Sequence, residues 1–255
     1  MEEILNIRNL TAAYEEKDVL ENVSLDVYKG EVLCIVGESG SGKSTLIRSV
    51  CCDPQIRIKE GNIAYKGKEL TCLKKSERQK LLGPQIGFIQ QNPWGAFNPI
   101  RRINVQFKET FKSHGRSFAI DKVKDTFRIL GLKDADRILK MRPYELSGGM
   151  SQRIAIAASF ALEPELLLCD EITSALDVTT ASAVTGELLE LKKTSGTTIV
   201  LVTHNLGLAK SIADRIAIMH QGRIVECGRA LEILEKPEND YTKRLLSDVP
   251  RLKVV

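Results

Sequence analysis

The sequence predicts an α/β fold in which a mixed sheet core carries an N-terminal antiparallel β-subdomain and an inserted α-helical subdomain. Three observations support this prediction. Apolar and polar residues alternate up to about Glu31, which is typical of half-buried antiparallel strands. Continuous apolar runs at 31–36, 166–170 and 197–203 are typical of strands buried on both faces. Between about 99 and 162 the apolar residues recur at helical spacing instead.

The remaining elements follow from the same periodicities. A helix follows the first buried strand, because Leu46, Ile47 and Val50 fall on one helical face. In chain order, the later elements are strands at 61–65 and 86–89, a helix at 184–191, a strand at 215–220, a hairpin strand within 221–228 and two short helices.

The chain has 255 residues, which is enough for one large domain or two modest ones. We expect a single domain over 1–255. Within it, an α/β core with its antiparallel β-subdomain would occupy 1–90 and 163–255, and the helical subdomain would occupy 91–162.

The composition excludes several classes of protein. The 37 basic and 33 acidic residues nearly balance, which excludes a disordered polyelectrolyte and gives no reason to expect a nucleic-acid partner. The longest apolar stretches, such as 154–162, fall short of the roughly 18–20 residues that span a bilayer. The acidic N-terminus, MEEILNIRNL, lacks the apolar run and cleavage site of a signal peptide. We therefore expect a soluble, cytosolic chain.

Six cysteines raise the question of a metal site or of disulfides. Their spacing supports neither, because there is no C-x-x-C pair and Cys51 and Cys52 are adjacent. Cys34 and Cys169 lie in apolar runs, where a free cysteine behaves as a small core residue. We predict unpaired cysteines in a reducing compartment.

A glycine-rich loop follows the first buried strand and precedes the predicted helix. It fits the pattern G-x-x-x-x-G-K-[ST] in the context that this pattern requires. Glycines let successive N–H groups point at one anion, and the helix adds its positive end. Lys43 supplies a charge for the β- and γ-phosphates, and the Ser44 hydroxyl ligates Mg²⁺. The sequence therefore predicts a site for ATP and Mg²⁺ formed by Gly37, Glu38, Ser39, Gly40, Ser41, Gly42, Lys43, Ser44 and Thr45.

A second part of the site is predicted where the strand at 166–170 ends. Asp170 stands at the carboxyl end of that strand, where a carboxylate can hold Mg²⁺ through water. Glu171 comes next, points elsewhere and can accept a proton from the attacking water. Acidic residues often end strands in α/β folds, so this pair is informative chiefly in combination with the glycine loop.

Ser147 and two glycines precede a predicted helix between these two parts of the site. They can be interpreted as an N-cap with flexible glycines, or as a second anion site at a helix N-terminus. The stretch Leu-Ser-Gly-Gly-Met-Ser-Gln-Arg at 146–153 resembles the LSGGQ signature of ABC (ATP-binding cassette) ATPases. The resemblance implies a P-loop NTPase of the ABC type, in which Ser147, Gly148 and Gly149 close over the ATP held by a partner cassette.

The other motifs of that family follow in order over nearly the whole chain. Tyr14 resembles the aromatic residue that stacks on adenine, and Gln91 resembles the glutamine that reaches the metal and the attacking water. Asp177 ends a Ser-Ala-Leu-Asp stretch that is similar to the D-loop at the dimer interface. His204 resembles the switch histidine at the γ-phosphate, whereas His220 matches no motif. For Tyr14 and His204, an ordinary structural role is the alternative.

Two stretches resemble the peptide and nickel importer branch of the family. Residues 91–99 are similar to its Q-D-P…S-L-N-P stretch, and 237–250 to its P-x-H-P-Y-T-x-x-L-L…V-P segment. The chain ends at Val255 without the cysteine-containing extension of larger members, so it resembles the short, nickel-type or metallophore-type subunit best. Two positions depart from the family patterns: Ile172, where Pro or Ala is usual, and Asn-Asp at 239–240, where His-Pro is common.

The resemblance implies an ATPase that drives uptake of peptides or of nickel or another metal chelate, and it leaves the cargo open. It implies a second ABC ATPase subunit (a copy or a paralogue), multi-spanning permease subunits and, indirectly, a substrate-binding protein. The chain would lie peripherally at the cytoplasmic face of the cell membrane. Three alternatives are a DNA-repair ABC protein, a soluble component of a phosphonate-degrading complex, and a nucleotide switch without turnover. Trp94 would either anchor a membrane partner or pack internally.

Overall fold

A computed structural model of the chain describes residues 2–247, apart from the side chains of Lys75, Trp94 and Ala96. The two interpretations of the Trp94 side chain, and the resemblance at Val249-Pro250, therefore lie outside the described residues. Within residues 2–247, no helix is long and apolar enough to cross a membrane.

The chain divides into two compact units, Met1–Lys74 with Ile199–Val255, and Lys75–Thr198. The segment predicted to be helical, 91–162, lies within the second unit. In chain order, the elements are β1 (Glu3–Tyr14), β2 (Lys17–Tyr28), β3 (Val32–Val36), α1 (Lys43–Val50), β4 (Ile56–Tyr65), β5 (Lys68–Glu69), α2 (Lys75–Leu81), β6 (Ile86–Ile89), a 3₁₀ turn (Pro93–Ala96), α3 (Ile103–Ser113), α4 (Ile120–Ile129), α5 (Ala135–Lys140), a second 3₁₀ turn (Pro143–Glu145), α6 (Gly148–Phe160), β7 (Leu166–Asp170), α7 (Val178–Ser195), β8 (Thr198–Thr203), α8 (Leu206–Ile212), β9 (Arg215–His220), β10 (Arg223–Arg229), α9 (Ala230–Glu235) and α10 (Asp240–Ser247).

The N-terminal part of the first unit is an antiparallel sheet with the strand order β2-β1-β4-β5. The apolar residues of β1 and β2 are buried and most of the intervening polar residues are not, which confirms the predicted half-buried strands. β4 begins at Ile56 rather than at the predicted residue 61. The reason is that Ile56 pairs with Tyr14 and extends the sheet through a polar, largely exposed stretch that carries little apolar signal.

The second sheet of this unit is mixed. β3 pairs in parallel with β8 and β9, and β10 pairs antiparallel with β9. Every residue of β3 and β8 is buried, as their continuous apolar runs predict. Val36, the last residue of β3, lies opposite Thr203 of β8 and Ile218 of β9. The segments that follow these positions therefore leave the sheet at its carboxyl edge, where open α/β sheets bind ligands.

The second unit combines a parallel strand pair with helices. β6 pairs with β7, and Ile89 lies opposite Cys169 near the carboxyl ends of both strands. Phe107 of α3 and Phe127 of α4 are both buried and meet edge-on, with ring centroids 5.8 Å apart. Edge-to-face contact is a favourable aromatic geometry, and it joins two helices whose periodicity the sequence predicts. Together, the two units confirm the predicted α/β fold class.

The six cysteines are free, as their spacing predicts. Cys34 in β3 and Cys169 in β7 are fully buried. Burial raises the pKa of the Cys34 thiol to about 12, so this thiol stays protonated and behaves as a core side chain.

A buried ion pair joins the start of β9 to the residue before β3. The Arg215 guanidinium lies 3.1 Å from the Glu31 carboxylate, and the two side chains are 17% and 7% exposed. The same carboxylate oxygen accepts a hydrogen bond from the Tyr28 N–H at 2.9 Å. Burial raises the pKa of Glu31, and these two partners oppose that shift. The carboxylate thus depends on Arg215 for most of its compensating charge.

Replacing Arg215 by Ala should leave Glu31 buried without its cation. We expect a loss of about 3 kcal/mol of stability, because removing one partner of a buried pair strands the other. The measurement is the midpoint of thermal and urea unfolding. Arg223→Ala is the matched control, because its pair with Glu21 is 65% and 48% exposed and should contribute little. Equal shifts for the two variants would contradict this account.

Candidate functional site

The predicted phosphate loop connects β3 to α1, and its backbone needs two of its glycines. Gly40 has φ +79° and Gly42, the residue before α1, has φ +102°, which side chains with a Cβ rarely adopt. A Cβ on Gly37 would lie 2.1 Å from the Met219 carbonyl oxygen, so only glycine fits there. Glu38 and Ser39 are exposed and Thr45 is buried. The loop therefore has the conformation for which its composition is required.

Lys43 is the charged centre of the loop. Its side chain is almost fully buried, at 4% exposure. The ammonium Nζ donates to the carbonyl oxygens of Gly37 at 2.9 Å and Glu38 at 2.7 Å. Ser41 is also buried, and its N–H donates to the Glu38 carbonyl oxygen at 3.2 Å. The ammonium is thus held at the inner side of the loop, next to Ser44, the predicted Mg²⁺ ligand.

His204 leaves the sheet beside the phosphate loop. It follows Thr203, which lies opposite Val36, so His204 and Gly37 are the first residues beyond neighbouring strands. Asn205 fixes the turn, because its side chain accepts the Leu208 N–H at 3.0 Å and caps α8. His204 itself is exposed. Tyr14 is half-buried at the end of β1, and its contact with adenine stays a prediction.

In the second unit, the structure brings Gln91 and Glu171 together. The Gln91 Nε2 donates to the Glu171 Oε2 at 3.3 Å and lies 3.5 Å from the Ser174 hydroxyl. Asp170, one residue before Glu171, is fully buried at the end of β7. Glu171 has φ +45°, a left-handed conformation that residues other than glycine rarely adopt, and Ile172 after it is buried. Ser174, the first residue of the Ser-Ala-Leu-Asp stretch, donates from its hydroxyl to the Glu171 carbonyl oxygen at 3.0 Å.

The signature motif forms the N-terminus of α6. The Ser147 hydroxyl accepts the Met150 N–H at 3.3 Å and caps the helix. Ser147 and Gly148 are exposed. A Cβ on Gly148 would meet nothing within 4 Å, and neither Gly148 nor Gly149 has a positive φ. Neither glycine is thus required by the backbone or the packing of the described residues.

One ion pair fixes α6 against α7, whose own N-terminus is capped by Asp177. Asp177 caps α7 by accepting the Thr180 N–H at 3.0 Å, and the hydrogen bond from the Thr180 hydroxyl lowers the pKa of Asp177. The Arg153 guanidinium makes a two-pronged ion pair with Glu187, with both N···O distances 2.8 Å and the two side chains 19% and 18% exposed. This pair holds the signature helix on the helix that follows Asp177. Sequence patterns missed the pair, because 34 residues separate its partners.

Comparison with known proteins finds relatives over almost the whole chain. The family model described as ABC transporter matches residues 20–174. The dipeptide transport ATP-binding protein DppD of Bacillus subtilis is 36% identical over 262 residues, which cover 99% of this chain and 78% of the relative. The oligopeptide transport ATP-binding protein AmiE of Streptococcus pneumoniae is 38% identical over 259 residues, 98% of this chain and 73% of the relative.

Solved structures agree with these relatives. The dimeric, post-hydrolysis ATP-binding cassette MJ0796 with ADP and Pi has a TM-score of 0.78 at 27% identity, covering 89% of this chain and 99% of its own. An ATP-binding subunit of an ABC transporter has the same TM-score at 26% identity, covering 96% and 99% of the two chains. These likenesses confirm the resemblance predicted from the signature motif. The chain belongs to the ABC transporter family, as one of its ATPase cassettes.

Proposed function

We propose that this chain is the ATP-hydrolysing subunit of an importer that takes up peptides through separate membrane subunits. The observation that carries the proposal is the phosphate loop, with Lys43 buried on the loop's own carbonyls and Gly40 and Gly42 in left-handed conformations. Such a loop presents backbone N–H groups and a helix N-terminus to an anion. ATP is the substrate that the relatives' names support.

In the proposed reaction, the loop binds the triphosphate and Tyr14 stacks on the adenine. Lys43 contacts the β- and γ-phosphates, and His204 contacts the γ-phosphate. Water attacks the γ-phosphorus, the bond to the ADP oxygen breaks, and Glu171 accepts the proton of the water. Gln91 orients that water, and its hydrogen bond to Glu171 supports this role. The products are ADP and phosphate.

Three residues of the predicted site carry oxygen donors of the kind that fits Mg²⁺. Mg²⁺ prefers oxygen ligands and is usually held by one or two carboxylates together with substrate phosphates. The Ser44 hydroxyl, the buried Asp170 carboxylate and the Gln91 amide oxygen are donors of this kind. We propose that these three residues hold the ion, which neutralises phosphate charge when bound.

The signature motif supports a second cassette as a partner. Glycine weakens a helix by up to about 1 kcal/mol relative to alanine. Gly148 and Gly149 nevertheless begin α6, where the described residues leave open space beside Gly148. We propose that the phosphates of an ATP on the partner cassette approach Ser147 and these glycines, with Asp177 at the same interface. MJ0796, a structural neighbour, is a dimer.

The relatives' names favour a peptide as the cargo. DppD and AmiE are named for dipeptide and oligopeptide transport. Nickel or another metal chelate, which the sequence also left open, has no such support. We propose that permease subunits hold this chain at the cytoplasmic face of the membrane and that a substrate-binding protein delivers the peptide.

Affinity purification of the tagged chain from detergent-solubilised cells tests the transport assignment. We expect multi-spanning permease subunits and a second ATPase cassette, which is this chain or a paralogue. Recovery of a soluble enzyme complex without a membrane protein would contradict transport and favour the phosphonate-type alternative.

Glu171→Gln should abolish turnover while ATP binding is kept. The amide cannot accept the proton, and loss of a general base lowers kcat by about 100-fold or more. Phosphate release measures turnover, and calorimetry measures binding. Glu163→Gln is the control, because Glu163 pairs with Lys122 at the surface of the same unit. Unchanged hydrolysis in Glu171→Gln would remove Glu171 from its role as base.

Lys43→Ala should lose affinity for ATP. Each hydrogen bond from a charged donor contributes about 1.5–3 kcal/mol, so the dissociation constant should rise at least about tenfold. Lys66→Ala is the control, because Lys66 lies over the Tyr65 ring in the antiparallel sheet. An unaltered dissociation constant in Lys43→Ala would contradict the phosphate assignment.

A further inference from the structure

The phosphate loop rests on the turn between β9 and β10. The Met219 carbonyl oxygen closes on Gly37, leaving no room for a Cβ. The Gly222 N–H donates to the Ser41 carbonyl oxygen at 2.9 Å. Gly222 in turn has φ +77° and lies against the backbone of Val19. Two of the six residues 37–42, Gly37 and Ser41, thus contact backbone at the end of β9 and in this turn.

Helix α10 packs against the end of β9, next to the same turn. The ring of Tyr241 stacks on His220, with centroids 3.8 Å apart and an interplanar angle of 26°. Tyr241 is 7% exposed, and its hydroxyl oxygen is buried. Burial raises the pKa of Tyr241, and the backbone and carboxylate of Glu38 are the next groups that perturb it. The tyrosine therefore packs on the last residue of β9, next to Met219, whose carbonyl oxygen contacts Gly37.

Specific contacts fix the start of α10. The Glu226 carboxylate, on β10, accepts the N–H groups of Glu238 at 2.8 Å and Asn239 at 3.2 Å. The Asn239 side chain accepts the Tyr241 N–H at 2.9 Å. Asn239 is one of the positions at which this chain departs from the family pattern, and here its amide shapes the entry into the helix. The position of Tyr241 is thus set by β10 as well as by the stack.

We propose that His220 and Tyr241 back the phosphate loop, so that Tyr241 is a positioning residue for ATP binding. We call Met219, His220, Gly222 and Tyr241 together the backing of the loop. This inference rests on the proposed function, since it presumes that ATP binds the loop. In this account, neither His220 nor Tyr241 contacts the nucleotide. Their stack stabilises the turn, and the turn stabilises Gly37 and Ser41.

An arriving phosphate changes the contacts that hold the loop. Lys43 donates to the carbonyls of Gly37 and Glu38, and a phosphate competes for that ammonium. The loop must then keep its conformation through other contacts, and the backing supplies them. If the backing loosens, only a fraction of molecules hold the binding conformation, and the apparent dissociation constant rises by the inverse of that fraction.

The test compares Tyr241→Ala, His220→Ala and Tyr241→Phe in the full chain, with ATP as the ligand. We expect both alanine variants to raise the dissociation constant and KM for ATP about tenfold, with kcat at saturating ATP nearly unchanged. Tyr241→Phe keeps the stack and should bind ATP like the wild type. The double alanine variant should be no worse than either single variant, because each removes the same stack.

Tyr65→Ala is the matched control, because Tyr65 is also a buried tyrosine but lies in β4 of the antiparallel sheet. It should lower the unfolding midpoint without changing the affinity for ATP. If the affinity of His220→Ala and Tyr241→Ala equals that of the wild type, the backing is overturned. Additive losses in the double variant would overturn the shared stack as its cause. Failure of the wild-type chain to bind ATP would instead contradict the proposed function.

Discussion

The interaction on which the phosphate loop depends is the hydrogen bonding of the buried Lys43 ammonium to the carbonyls of Gly37 and Glu38. It folds the loop back on its own lysine and leaves the left-handed Gly40 at the exposed side. A bound phosphate would accept hydrogen bonds from the same ammonium. Lys43 would then donate to the phosphate instead of to the loop carbonyls. Contacts from β9, β10 and α10 then become the constraint that keeps its shape.

Strand register positions the other groups. Val36 lies opposite Thr203 and Ile218, so the loop, His204 and the β9–β10 turn begin at one edge of a buried sheet. In the second unit, pairing of β6 with β7 does the same for Gln91 and Glu171. A one-residue slip in a parallel pair would turn each following side chain to the other face. Strand register therefore sets the positions of these side chains within each unit.

Most of the fold was predictable, because buried parallel strands and helices have strong periodicities. The positions of Lys43 in the loop and of Glu171 after β7 were predictable, because their motifs require particular residues there; their roles stay predictions. Sequence reasoning missed contacts between distant polar residues, such as Arg153 with Glu187, because no local pattern links them. It also gave His220 no role, since its stack on Tyr241 depends on how α10 returns to β10. The start of β4 was missed because pairing with β1 extends that strand through polar residues.

In this account, ATP is hydrolysed where two cassettes face each other, because neither the backbone nor the packing of the described residues requires the glycines of the signature motif. The most direct test is the rate of ATP hydrolysis per chain, measured with Mg²⁺ over a wide range of protein concentration, for the chain alone and together with any paralogous cassette that affinity purification recovers. The account predicts that the rate per chain rises with concentration and then levels off as the dimer fills. A rate per chain that is constant down to the most dilute sample would show that one chain is sufficient and would contradict the account.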